Sequence, residues 1–122
     1  MTWIAVALGG LLGSVARHGV NVLFARSLAR PAPYATATVN LIGSFAIGAL
    51  AGSLASGRLT MTVPMRAFVF VGILGGFTTF SSFMLDNLTL ADAGIPAQAV
   101  ANVLAQTIIG FAAIYAAYRA FS

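Results

Sequence analysis

Cysteine and lysine are both absent from this 122-residue sequence, and its only acids are Asp86 and Asp92. Without cysteine there are no disulfides, no thiol nucleophiles and no thiolate metal sites. Charged residues make up 7% of the chain against 60% hydrophobic ones. A soluble domain carries about 25% charged residues, so this chain has too little charge to coat a water-facing surface. It also has more apolar residues than one core of this size could hide. Lipid is the solvent that fits. No His/Asp/Glu set, nucleophile–base pair or phosphate-binding loop occurs along the chain, which argues against an enzyme.

The net charge of +4 rests on six arginines. They stand singly between apolar runs and form no basic patch, so nucleic-acid binding does not follow from the charge. They read instead as anchors at membrane edges. A helical span needs about 20 apolar residues, and the charges mark out four such stretches. The first runs from Trp3 to about Phe24, interrupted by Arg17, and is read as a span of the mature protein rather than a signal peptide. The second lies between Arg30 and Arg58, after the Pro31-Ala32-Pro33 turn. The third lies between Arg66 and Asp86, and the fourth between Asp92 and Arg119. Pro64 and Pro96 fall at span starts, where a missing amide costs nothing. Trp3, Tyr34, Tyr115 and Tyr118 fall near span ends, as interfacial aromatics do.

Four spans put both termini and the central loop on one side, with Arg58, Arg66 and Arg119. Arg26 and Arg30 belong to the other side, and Arg17 lies towards that end of its helix. The positive-inside rule needs a bias to fix topology, and here there is almost none. Either the chain inserts both ways up, so that opposite copies pair as an antiparallel dimer, or a single arginine fixes one orientation.

Within the spans, glycines at four-residue spacing (Gly48 and Gly52, Gly72 and Gly76) predict close helix packing. Polar groups inside spans are costly and default to functional candidates. The richest stretch is Gly72-Ile73-Leu74-Gly75-Gly76-Phe77-Thr78-Thr79-Phe80-Ser81-Ser82-Phe83. Paired glycines followed by paired threonines suit a helix break, whose carbonyls are tolerated only where protein or a cavity covers them. The alternative is a continuous helix with glycines for packing. Phe80 and Phe83 are three apart and share a helix face; either they turn positive ring edges to an anion, or they are core or lipid-facing residues. Ser81 and Ser82 can donate to an anion or bond back to the preceding turn. Asn40 offers two donors inside span two. Arg17 either snorkels to the headgroups or charges a water-filled mouth. Gln106 and Thr107 add polar groups in span four, with Asn102 nearer its start. Both acids are read as lying at or beyond the end of span three, which argues against a proton-coupled exporter and against acidic rings of a cation channel.

Gly75-Gly76-Phe77-Thr78-Thr79-Phe80-Ser81-Ser82-Phe83 resembles the signature of the Fluc (CrcB) fluoride channels. Thr38-Val39-Asn40-Leu41-Ile42-Gly43-Ser44-Phe45 resembles their span-two motif, and Gly9-Gly10-x-x-Gly13-x-x-x-Arg17-His18 their span-one pattern. The resemblance covers essentially the whole chain, so residues 1–122 are read as one transmembrane channel domain. It implies an all-α membrane protein with four helices per subunit, the third broken mid-membrane. It also implies an antiparallel, dual-topology homodimer in the bacterial inner membrane, with two pores passing fluoride out down its gradient. By that resemblance Phe80 and Phe83 line the pores, with Ser81, Ser82 and Asn40 along the pathway and Arg17 in the vestibule. The carbonyls of Gly75 and Thr78 would hold a structural sodium ion at the dimer centre. Two departures stand out: Gly110 occupies the span-four position where some relatives have a pore-facing hydroxyl, with Thr107 one turn away, and His18 follows Arg17 where an aromatic is usual.

Overall fold

The computed structural model describes residues 1–28 and 30–122. Four helical spans long and apolar enough to cross a membrane account for nearly all of it: Thr2–Ser27, Ala32–Ala55, Val63–Asp92 and Pro96–Phe121. Helix α1 (Thr2–Val22) ends in a π-helical turn, Leu23–Ser27. Helix α2 (Ala32–Ala55) starts behind Pro31, with a proline in its first turn. The third span is two helices. Helix α3 (residues 63–77) contains a π-helical stretch, Ala67–Leu74, and helix α4 is Phe80–Asp92. Helix α5 (Pro96–Phe121) closes the bundle.

The expected break is present, near the middle of the 30-residue third span. Thr78 (φ −80°, ψ 161°) and Thr79 (φ −155°, ψ 121°) are extended, a conformation that suits β-branched side chains. Each threonine finishes one half-helix. The Thr78 amide and hydroxyl both donate to the Leu74 carbonyl, at 3.0 and 2.9 Å. The Thr79 hydroxyl caps α4 by accepting from the Ser82 amide at 3.2 Å.

The helix of the third span extends past the charge read as its edge: it runs beyond Asp86 to Asp92. Asp86 sits roughly 10 Å along α4 from the break, well inside the helix. Its carboxylate lines a cavity with polar neighbours, Asn21, Thr36 and Ser82 among them.

Helix α2 packs most extensively against α5, and α1 against α3. Glycine sets both seams. A Cβ on Gly48 would collide with the Ile114 carbonyl of α5, and one on Gly13 with the Ile73 carbonyl of α3. The backbones lie too close for any side chain, as helix association in lipid favours. Few apolar side chains are buried within the single chain, Val39 being the largest that is fully enclosed. Most large ones, among them Leu11, Val15, Ile108 and Phe111, face outward, where lipid or another subunit must cover them. Gly57 (φ 73°) and Gly94 (φ 79°) turn the chain after α2 and α4 in the left-handed region that glycine adopts freely.

Gly48→Val is expected to destabilise the fold by about 1–3 kcal/mol, the range for forcing extra volume into a packed seam. Gly19→Ala, with nothing within 4 Å of the added carbon, should be near neutral. Thermal unfolding of both variants in detergent checks the contrast.

Candidate functional site

Breaking a helix in lipid strands backbone groups that water cannot reach. Here one side chain replaces the lost bonds. Asn40 on α2 accepts from the Thr79 amide through Oδ1 at 2.9 Å and donates from Nδ2 to the Thr79 carbonyl at 3.1 Å. The same Nδ2 donates to Gln106 Oε1 on α5 at 3.0 Å. Both amide hydrogens of Asn40 are thereby engaged. Arg17 reaches the break from α1, donating from Nη1 to the Thr78 carbonyl at 3.3 Å. Its half-buried guanidinium is turned in towards the break.

Around the cap, the Thr79 hydroxyl donates to Ser82 Oγ at 3.0 Å and lies 3.5 Å from Ser81 Oγ. Three hydroxyls therefore gather at the start of α4, instead of bonding back four residues along the helix. Phe80 and Phe83 stand edge to face, centroids 6.0 Å apart and planes at 60°. Their environments differ sharply: Phe83 is 7% exposed and Phe80 73% exposed. Phe80 points out of the subunit and Phe83 into it.

Two cavities flank the break. One, of about 240 Å³, is lined by Asn40, Ser44, Ile47, Thr78, Thr79 and Phe80. The other, of about 340 Å³, is lined in part by Asn21, Arg30, Thr36, Ser82, Leu85 and Asp86. Asp86 Oδ2 is buried there with no hydrogen-bond partner. The site brings Arg17, Asn40, Thr78, Phe80, Ser81, Ser82 and Phe83 to one region. Thr107 stays apart on an exposed face, while its neighbour Gln106 is 9% exposed and bonded into the site. Gly110 is buried; a Cβ there would lie 3.6 Å from Ser44 Oγ, an ordinary contact.

The donor chemistry at the break also suits a small hard cation. No three His, Cys, Asp or Glu side chains converge among the described residues. Carbonyl oxygens at the C-terminal end of a half-helix are a kind of ligand that holds sodium in broken membrane helices. Gly75 fits: the Thr79 amide, its partner in a continuous helix, is diverted to Asn40. Thr78 fits less freely, because its carbonyl already accepts Arg17.

Residues 4–118 match the family described as CrcB-like protein, Camphor Resistance (CrcB). A fluoride-specific ion channel FluC of Paracoccus denitrificans is 45% identical over 115 residues, covering 94% of this chain and 90% of that one. Its counterpart in Aeromonas salmonicida is 45% identical over 102 residues, 84% and 81% of the two chains. The one in Agrobacterium fabrum is 42% identical over 111 residues, 91% and 88%.

Asn40→Ala should expose the Thr79 amide, at a cost of about 1–3 kcal/mol for each buried group left unpaired. Asn40→Asp keeps an acceptor for that amide. Backbone hydrogen exchange at Thr79 is expected to accelerate in the alanine variant and stay slow in the aspartate variant.

Proposed function

Because the chain belongs to the CrcB-like family, we propose that it is a fluoride-selective ion channel of the bacterial inner membrane, conducting passively as an antiparallel homodimer. The observation that carries the reading is the Asn40-held break. It sets the Ser44, Thr78 and Thr79 residues and the Phe80 ring along one cavity, with the Ser81 and Ser82 hydroxyls gathered at the cap and the Arg17 guanidinium bonded to the Thr78 carbonyl beside them. A fully dehydrated anion needs donors in place of water, and a pore must not hold it so tightly that it cannot leave. Neutral hydroxyls and ring edges meet both demands. Export is then simple electrodiffusion, and nothing in it is catalysed.

In this reading Phe83 forms a wall inside each subunit, while the outward-facing Phe80 meets the ion pathway from the dimer seam. Ser81 and Ser82 supply hydroxyl donors. Asn40 acts chiefly by holding the break, since both its amide hydrogens are engaged. Arg17 adds positive charge that draws anions in. The near-balanced arginines and the exposed apolar faces support insertion both ways up and pairing of opposite copies. A sodium ion at Gly75 and Thr78 would add a buried positive charge between the two copies. Arg17 would then have to share the Thr78 carbonyl with it.

The purified protein alone, in liposomes loaded with fluoride and given a potassium ionophore, should release fluoride rapidly and retain chloride. Retention of both by well-folded protein would contradict a self-sufficient channel. Phe80→Ile and Phe83→Ile are expected to abolish efflux while leaving the dimer intact on gel filtration. Wild-type flux in both would remove the rings from the pathway. Asp86 is the one residue that favours a second reading, a proton-coupled transporter. A channel predicts that Asp86→Asn keeps passive efflux without imposed proton gradients; flux in the wild type that needs a proton gradient and vanishes in Asp86→Asn would favour the transporter.

A further inference from the structure

Asn40 is one end of a longer construction. From it, four carboxamides on three helices form an unbroken chain: the Thr79 amide donates to Asn40, Asn40 to Gln106, Gln106 to Asn102, Asn102 to Asn87, and Asn87 to the Phe83 carbonyl. All five bonds measure 2.8 to 3.0 Å.

The direction of this chain is fixed at both ends. A backbone amide can only donate and a backbone carbonyl can only accept. The Thr79 amide therefore requires an oxygen from Asn40, which turns the nitrogen of Asn40 towards Gln106. The same logic passes to Asn102 and Asn87. At the far end the Phe83 carbonyl requires a nitrogen from Asn87, which leaves the oxygen of Asn87 for Asn102. The two requirements agree, so reversing any one carboxamide breaks bonds on both sides of it. Bonds aligned this way polarise one another. Gln106 and Asn87 are each 9% exposed, so water is a poor substitute for a lost partner.

We infer that Gln106, Asn102 and Asn87 are positioning residues for the ion pathway: their carboxamide chain fixes the orientation of Asn40 and ties the helix break to the turn of α4 that carries Phe83. The inference rests on the fluoride-channel reading, in which Asn40 and Phe83 both border the path. Asn102 is the informative link. Its hydrogen bonds go to Asn87 and Gln106 and to neither Asn40 nor Phe83, and it borders a separate cavity of about 550 Å³ between the ends of α2, α4 and α5.

The test is Asn102→Leu, which keeps the side-chain size and removes two links. Fluoride efflux from liposomes is measured beside the wild type, and the side-chain amide resonances of Asn40 are followed by nitrogen-15 NMR of the intact protein. Efflux is expected to fall about tenfold, the lower end for losing an outer partner that orients a functional group. The Asn40 resonances, two links away, should shift. Wild-type efflux or unmoved Asn40 resonances would each overturn the assignment. Should Asn102→Leu fail to fold, Asn102→Ser carries the same two readings, since its hydroxyl is too short to span Asn87 and Gln106. A wild-type protein that releases no fluoride would instead contradict the channel reading itself.

Discussion

In a bilayer a helix can be interrupted only where something replaces the hydrogen bonds it gives up, and in this chain the replacement is the carboxamide of Asn40. It accepts from the amide of Thr79 and donates to its carbonyl. Everything distinctive about the site follows from that exchange. The break lets Thr79 cap α4, gathers the Ser81 and Ser82 hydroxyls around it and diverts the donor that Gly75 would otherwise have. It also leaves Thr78 within reach of Arg17. A continuous helix would satisfy its own backbone and offer none of these groups.

The scaffold that holds this arrangement is built mostly from backbone proximity. The seams between α2 and α5 and between α1 and α3 are closed by glycines at which no side chain fits. Where lipid tails are as apolar as leucine, such contact takes the place of a hydrophobic driving force between helices. Little apolar surface is buried within one chain, and Phe80 faces outward. A solitary subunit thus leaves half of its aromatic pair outside, which is why the functional reading needs a second copy.

The four spans were legible because lipid imposes a simple code: long apolar runs bounded by charges. The break was legible in outline, since Gly75-Gly76 and Thr78-Thr79 combine weak helix formers with residues suited to extended backbone. The length of the third helix was not legible, because a charge reads as an edge, whereas Asp86 stands inside the helix beside Asn21, Thr36 and Ser82. The carboxamide chain escaped sequence reading because its members lie far apart. Asn40 and Gln106 are separated by 66 positions. The available hint was the four-residue spacing of Asn102 and Gln106, which puts them on one helix face. Nothing in the sequence pointed that face at Asn40 rather than at Thr107's side of the helix.

In the proposed reading, the pathway beside the Asn40-held break passes fluoride and refuses chloride. The most direct measurement is electrical: the purified protein in a planar bilayer, with fluoride on one side and chloride on the other. A fluoride-selective channel gives current that is carried by fluoride alone and reverses far towards the fluoride equilibrium potential. A reversal potential near zero, with both anions carrying comparable current, would contradict it.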